Sequence, residues 1–284
     1  MTSLQNKTKN NAFLNNRPIG VFDSGVGGIS VLKHVRTALP AEDLLYCADS
    51  RFAPYGNKSP ELIRERSMFL ADFLIAQGAK ALVVACNTAT AAAVAALRER
   101  YDIPIIGMEP AVKPAAAATK SGVIGVLATS GTLKSAQFAA LLESYGQNVK
   151  VVTEACHGLV ERIEQGEVAT AATKALLSHY LQPLQAAHAD TIVLGCTHYP
   201  FVRHLIEELV GQEVVLVDTG AAVAKQLKHR LQAAGLLADA GQSGRVSQSG
   251  QVKFWTNSQV EDAKQVILQL WGTSADVAVL ELPG

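Results

Sequence analysis

The chain has little charge and no excess of either sign. Of its 284 residues, 18% are Asp, Glu, Lys or Arg, below the roughly 25% of an average soluble protein. The 25 basic residues balance the 25 acidic ones, so the formal net charge is zero. A nucleic-acid surface or a polybasic membrane patch needs an excess of Lys and Arg. The composition therefore predicts neither a nucleic-acid partner nor a membrane partner.

Closely spaced cysteines and long apolar runs are also missing. The four cysteines are widely separated and form no C-x-x-C pair: Cys47, Cys86, Cys156 and Cys196. The familiar ligand spacings of zinc sites are absent, so no metal site is expected. No apolar run approaches the roughly 20 residues of a membrane span, and the first residues show no signal-peptide pattern. We expect free thiols in a reducing cytoplasm.

Apolar, β-favouring runs alternate with helical patterns along most of the chain. In each half, one such run ends at a cysteine followed by small polar residues: Ala-Leu-Val-Val-Ala-Cys-Asn-Thr at 81–88 and Thr-Ile-Val-Leu-Gly-Cys-Thr-His at 191–198. Ser24 and Ser130 follow the first strand of each half, and the number of residues between them is close to the number between the two cysteines. Alternation of this kind favours parallel sheets. The sequence predicts an α/β fold of two pseudo-symmetric parallel-sheet domains, with the active site in the cleft between them.

The sequence predicts an arm and two domains, the first of which is built from two separate stretches of the chain. Residues 1–16 are polar and rich in Asn, which indicates a flexible arm. Residues 17–112 and 221–284 form the first α/β domain, and residues 113–220 form the second. The piece that follows the Gly-, Ser- and Gln-rich stretch is too short to build its own core, so we expect it to dock on the first domain.

Polar side chains follow most of the predicted strands. The carboxyl ends of parallel strands share one edge of a sheet, where ligands bind in open α/β folds. Cys86 and Cys196 lie where helices begin, and the helix amides favour a thiolate that can act as a base. Asp23, His198 and Glu154 are candidate partners that take or return the proton. Each cysteine also has an ordinary interpretation as a small buried hydrophobe.

Donors for a small anion lie beside both thiols. Asn87 and Thr88 follow the first cysteine, and Thr197 follows the second. The stretch Asp-Ser-Gly-Val-Gly-Gly at 23–28 is similar to a phosphate cradle, but the G-x-G-x-x-G fingerprint requires a glycine where Ser30 stands. A nucleotide site is therefore not predicted, although backbone amides at this helix start could hold a carboxylate.

Five motifs resemble those of the glutamate racemases, in the family's order. They are Val-Phe-Asp-Ser-Gly-Val-Gly-Gly at 21–28, Pro-Tyr-Gly at 54–56, Val-Val-Ala-Cys-Asn-Thr at 83–88, Leu-Ala-Thr-Ser-Gly-Thr at 127–132 and Leu-Gly-Cys-Thr-His-Tyr-Pro at 194–200. The resemblance implies a cofactor-independent enzyme in which Cys86 and Cys196 act on opposite faces of the substrate α-carbon. It implies Asp23 and His198 as their helpers, with Glu154 a lesser candidate.

The resemblance also implies the residues that contact the substrate and the setting of the enzyme. The implied contacts are Asp23, Ser24, Tyr55, Gly56, Asn87, Thr88, Thr197 and His198. The family supplies D-glutamate for peptidoglycan in the bacterial cytoplasm and usually works as a homodimer. An arm before the first strand, such as residues 1–16 here, occurs in members activated by a peptidoglycan precursor, so such an activator is a further expected partner.

Other functions remain open from the sequence alone. A related aspartate or broad-specificity racemase would share these motifs, and a non-catalytic two-lobed protein would bind a small acid without turnover. A pyridoxal-phosphate racemase would need a Schiff-base lysine, and no lysine stands out. A redox protein would join Cys86 to Cys196 in a disulfide.

Overall fold

Ten strands, all paired in parallel, form two sheets in the computed structural model, which describes residues 15–238 and 250–281. The strands are β1 (Ile19–Asp23), β2 (Leu44–Ala48), β3 (Ala81–Val84), β4 (Ile105–Ile106), β5 (Val123–Ala128), β6 (Lys150–Ala155), β7 (Thr191–Leu194), β8 (Val215–Val217), β9 (Val252–Thr256) and β10 (Asp276–Val279). The predicted parallel α/β fold is confirmed.

Helices follow most of the strands and cover the sheets. They are α1 (Ile29–Ala38), α2 (Pro60–Ala76), α3 (Asn87–Arg100), α4 (Val112–Ala118), α5 (Ser130–Leu133), α6 (Ala136–Tyr145), α7 (Leu159–Glu164), α8 (Ala171–Ala186), α9 (Arg203–Val210), α10 (Gly220–Ala233) and α11 (Val260–Trp271). Short 3₁₀ turns cover Ser50–Phe52, Tyr55–Asn57 and Tyr199–Val202. The helix α8 begins after the Thr170 cap, and Pro200 lies in the 3₁₀ turn that precedes α9.

The two sheets share one strand order. The six-stranded sheet runs β10-β9-β2-β1-β3-β4, and the four-stranded sheet runs β6-β5-β7-β8. The order β2-β1-β3-β4 in the first sheet therefore matches β6-β5-β7-β8 in the second. Cys86 follows β3 and Cys196 follows β7, so the thiols occupy equivalent positions of the repeated pattern. Strands β9 and β10, from the end of the chain, extend the first sheet beyond β2.

Apolar side chains cover both faces of each sheet. In the first sheet, Val21 and Val83 face one buried cluster, whereas Phe22 and Val84 face another. Such burial on both faces explains why the central strands read as unbroken apolar runs. The second sheet likewise has two buried clusters. Its edge strand β6 is only partly covered.

Residues 1–14 of the predicted arm lie outside the described residues. The arm's next residue, Asn15, is placed, and its carbonyl oxygen accepts a hydrogen bond from the Lys80 ammonium at 2.5 Å. The same ammonium forms a buried ion pair with Glu42. Within the described ranges, no helix is both long enough and apolar enough to cross a bilayer.

Candidate active site

A buried cavity lies between the carboxyl edges of the two sheets, and its volume of about 10 Å³ is close to the minimum that holds one water molecule. Both thiols line it, and both residues are nearly closed to solvent, with Cys86 6% and Cys196 8% exposed. The lining residues are Ser24, Pro54, Tyr55, Gly56, Cys86, Asn87, Thr88, Thr129, Thr132, Val160, Gly195, Cys196, Thr197 and His198. Every substrate-contact residue predicted from the sequence is on this wall except Asp23, which lies behind it.

Cys86 is the N-cap of α3. Its extended backbone leaves the sheet at the end of β3, and its sulfur accepts a hydrogen bond from the Ala89 amide at 3.4 Å. The thiol itself donates to the Ser24 hydroxyl over 3.9 Å. Burial raises the pKa of the Cys86 thiol well above its ordinary value, and the nearby Asp23 carboxylate raises it further. In the closed cavity Cys86 is therefore a protonated group, ready to donate.

Asp23 is the last residue of β1 and is fully buried. Its Oδ1 accepts from the Ser24 amide at 2.6 Å, and its Oδ2 accepts from the Gly28 amide at 2.5 Å. The Thr197 hydroxyl donates to Oδ2 at 3.2 Å from the other side of the cleft. Burial raises the pKa of this carboxyl, and the positive charge of His198 opposes the rise. Asp23 thus links the Cys86 side of the cavity to the Cys196 side.

Cys196 has a histidine and a carboxylate behind it. The Nδ1 atom of His198 lies 3.6 Å from the Cys196 sulfur, and Nε2 lies 2.6 Å from Oε1 of Glu164. Burial alone would lower the pKa of His198, but its hydrogen bonds to Cys196 and Glu164 raise the pKa well above 6.5. A charged imidazolium donates from both ring nitrogens, one toward the sulfur and one toward the carboxylate. This arrangement stabilises negative charge on the sulfur.

Glu164, the last residue of α7, did not emerge from the sequence patterns. They indicated Glu154 instead, and the structure does not bring Glu154 to the cavity. Glu154 lies within β6, the partly covered edge strand, and is absent from the cavity lining. Glu164 reaches the site from a helix end, where its Oε1 also accepts from the Val26 amide at 2.7 Å and its Oε2 from the Ser50 hydroxyl at 2.9 Å. No pattern in the sequence distinguishes Glu164 from the other glutamates at helix ends.

The remaining wall of the cavity presents further polar groups. Neither amide atom of the buried Asn87 side chain has a hydrogen-bond partner among the described residues. Three hydroxyls, from Thr88, Thr129 and Thr132, lie 2.9–3.1 Å from one another across the cleft. An unpaired buried amide costs about 1–3 kcal/mol, so the Asn87 side chain points to a polar ligand in the cavity. Thr129 and Thr132 were not among the predicted contacts.

Hydrogen bonds close the cleft around the cavity. The Ser130 hydroxyl donates to the Gly56 carbonyl at 2.9 Å, and the Ser30 hydroxyl donates to the Thr197 carbonyl at 2.8 Å. Each joins the half of the chain that carries Cys86 to the half that carries Cys196. Among residues 15–238 and 250–281, no group of three or more His, Cys, Asp or Glu side chains is arranged to hold a metal ion.

The chain is similar to known racemases over most of its length. Residues 19–227 match the family described as Asp/Glu/Hydantoin racemase. A glutamate racemase from Pseudomonas paraeruginosa is 54% identical over 266 residues, which cover 93% of this chain and 98% of the relative.

Solved structures agree with this match. A glutamate racemase isoform from Bacillus anthracis superposes with a TM-score of 0.82 at 34% identity, covering 95% of this chain and 99% of that one. The Escherichia coli glutamate racemase, solved with L-glutamate and the activator UDP-MurNAc-Ala, has a TM-score of 0.81 at 30% identity, covering 94% of this chain and 100% of that one.

Proposed function

The chain belongs to the Asp/Glu/hydantoin racemase family and interconverts L-glutamate and D-glutamate, and we propose that Cys86 and Cys196 perform this inversion as a two-base pair. One observation carries the proposal. Two thiols, delivered by equivalent strands of a repeated sheet, line a single buried cavity. A pair of opposed acid/base groups needs no cofactor to move a proton from one face of a carbon to the other.

The proton balance is simple. The Cys196 thiolate removes the α-proton, and the electron pair of the broken C–H bond stays on the α-carbon as a carbanion. The Cys86 thiol then delivers its own proton to the opposite face. The product is the other enantiomer, with Cys196 now a thiol and Cys86 a thiolate. The reverse reaction begins from this swapped state, so one site serves both directions.

The groups behind each sulfur suit these roles. His198, charged because of Glu164, stabilises the thiolate of Cys196 and thereby prepares the base. Burial keeps Cys86 protonated, which prepares the acid. When Cys86 later carries the negative charge, the Ala89 amide at the start of α3 and the Ser24 hydroxyl lie beside its sulfur to accommodate it. Asp23 lies within the same hydrogen-bond network.

An α-proton beside a carboxylate is very weakly acidic, so the cavity must stabilise the carbanion. Preorganised donors in a site without water supply such stabilisation. We assign Asn87, Thr88 and Thr197 to the substrate's carboxylates, together with the hydroxyls of Thr129 and Thr132. The closed cavity also requires the two domains predicted from the sequence to separate for substrate entry and to close again before proton transfer.

The biological setting is part of the proposal. D-glutamate made by this chain supplies peptidoglycan synthesis in the cytoplasm. The four free, buried cysteines agree with a reducing compartment. The likeness to the activator-bound Escherichia coli enzyme supports a peptidoglycan precursor as an activator here. We also propose a homodimer, the assembly that the sequence resemblance implies.

The decisive experiment measures inversion of L-glutamate by circular dichroism with the purified chain and no added cofactor. Cys86→Ala and Cys196→Ala should each lower kcat by about 10³-fold, within the range of lost general acid–base catalysis. Cys47→Ala is the matched control, because Cys47 is a buried cysteine of β2 outside the cavity lining. Near-normal inversion by either active-site variant would contradict the two-base assignment. Binding without inversion by the unmodified chain would favour a binding protein.

A further inference from the structure

A fully buried carboxylate lies behind the part of the cavity wall formed by Pro54, Tyr55 and Gly56. Asp49 follows β2 and is 0% exposed. Its Oδ2 accepts from the Tyr55 hydroxyl at 2.5 Å and from Arg66 Nε at 3.0 Å. Its Oδ1 accepts from Arg66 Nη2 at 2.7 Å and from the Asn257 side-chain amide at 2.5 Å. Both oxygens are therefore saturated with donors, and none of these bonds involves a thiol.

Arg66 is held as firmly as the carboxylate that it binds. It extends from α2, is 6% exposed, and makes a two-bond fork to Asp49. Its guanidinium carbon lies 4.2 Å from the centre of the Phe52 ring and 4.7 Å from that of Phe69. The rings and the carboxylate fix the position and the plane of the guanidinium. A lysine could not reproduce this geometry, because an ammonium is a point charge without a planar fork.

The buried ion pair is poorly explained by stability alone. Taking both charges out of water is costly, and apolar replacements of such pairs are often neutral or stabilising. A defined position for Tyr55 is a better explanation. Tyr55 lines the cavity, and its hydroxyl donates to Asp49 behind the cavity wall. Burial and the nearby Asp49 charge raise the pKa of the Tyr55 hydroxyl well above its usual value, so the phenol stays a donor.

We propose that Arg66 is a positioning residue for glutamate binding, which acts by orienting Asp49 so that Tyr55 and the adjoining Gly56 backbone hold their place on the cavity wall. The inference rests on the proposed function, since it takes this wall as a surface that contacts the substrate. Asn257, at the end of β9, joins the final segment of the chain to the same carboxylate. Arg66 itself does not line the cavity.

This position predicts an effect on binding more than on chemistry. The cluster lies behind the wall and has no hydrogen bond to either sulfur, so proton transfer keeps its own geometry. Interactions made equally in the ground state and the transition state change KM and leave kcat nearly unchanged. Loss of the Tyr55–Asp49 bond should therefore raise KM for glutamate while kcat stays close to that of the unmodified chain.

The test compares Tyr55→Phe, Arg66→Lys and the double variant by kcat and KM for L-glutamate. Tyr55→Phe keeps the ring and the ion pair and removes only the bond to Asp49, so it should fold normally and raise KM about fivefold, the usual size of one hydrogen bond. Arg66→Lys should raise KM in the same way. Because both act through one contact, the double variant should match the larger single effect within about twofold.

Arg203→Lys is the matched control, since Arg203 pairs with Asp218 at 2.8 Å and does not line the cavity. Its KM should equal that of the unmodified chain. An unchanged KM for Tyr55→Phe would overturn the inference, and this variant decides the matter even if Arg66→Lys does not fold. Effects that multiply in the double variant, or a loss of kcat with normal KM, would also overturn it. Failure of the two-base proposal is separate, because it would appear as inversion by Cys86→Ala.

Discussion

Replacing Glu164 by glutamine removes one negative charge from the site while keeping its shape. Oε1 of Glu164 contacts His198 Nε2 at 2.6 Å and accepts from the Val26 amide at 2.7 Å, and Oε2 accepts from the Ser50 hydroxyl at 2.9 Å. A glutamine can keep an oxygen at the first position and place a donor at the second, where the serine hydroxyl accepts. We therefore expect Glu164→Gln to fold normally and to isolate the effect of the charge.

The size of the effect follows from the stabilisation of His198. A hydrogen bond to a charged group contributes about 1.5–3 kcal/mol and a neutral one about 0.5–1.5 kcal/mol, so at least about 1 kcal/mol is lost. Two unit charges 4 Å apart interact by about 4 kcal/mol near a protein surface, which sets the upper end. The pKa of His198 falls, and the thiolate of Cys196 loses its neighbouring charge. At 1.36 kcal/mol per tenfold, kcat/KM falls by about fivefold to a thousandfold.

The assay is inversion of each glutamate enantiomer, followed by circular dichroism across neutral pH. Because the two enantiomers are equally stable, kcat/KM must fall by the same factor in both directions. Glu154→Gln is the matched control: it removes the same charge from the carboxylate that the sequence indicated, and it should leave kcat/KM unchanged. Full kcat/KM in Glu164→Gln, or an equal loss in Glu154→Gln, would contradict this role of the Glu164 charge.

Three further outcomes are expected. In Gly27→Ala the new Cβ would lie 2.3 Å from His198 Nδ1, and displacing the ring by about 1 Å should lower kcat about a hundredfold; a normal kcat would contradict the placement of His198. L-Aspartate, one methylene shorter than glutamate, should have a kcat/KM more than about a hundredfold lower, and comparable values would indicate a broad-specificity racemase. Because the folded-state pKa of His198 is raised, its charge should stabilise the fold fully below about pH 6.5, and this contribution should be lost as the pH rises through the folded-state pKa. The free energies of unfolding of the unmodified chain and His198→Asn, measured with denaturant, should therefore converge at high pH. A difference that stays constant with pH would contradict the raised pKa of His198.

The sequence predicted the parallel strands and the residues that follow their carboxyl ends. Apolar runs that alternate with helical patterns indicated parallel strands. The residues that follow β1, β3 and β7 were expected at the carboxyl edges of the sheets. The structure places Ser24, Cys86 and Cys196 there, around one cavity. These residues follow strands directly, so local pattern and the geometry of parallel sheets are sufficient to bring them together.

Contacts between segments that are distant in the sequence have no signal in the local pattern of residues. Glu164 meets His198 because α7 ends above the cleft, and nothing in a helical pattern shows where the last carboxylate of a helix points. Glu154 was favoured because it was read as following a strand, whereas β6 continues past it to Ala155. The Asp49–Arg66 pair joins a loop to a helix that packs behind it, and only the folded chain shows that the guanidinium is enclosed.

The shared strand order of the two sheets has a consequence for how both faces of a substrate carbon can be reached. Inversion of a stereocentre by two bases needs one acid/base group on each face of a flat carbanion. Two sheets with the same strand order that meet at their carboxyl edges bring equivalent strand ends to one cavity. Each sheet contributes the end of an equivalent strand, and the two sulfurs differ in their surroundings, with the Asp23 carboxyl near Cys86 and the His198 imidazolium beside Cys196. Under the two-base proposal a repeated scaffold thus offers one thiol to each face of the α-carbon, so a single cavity can form either enantiomer.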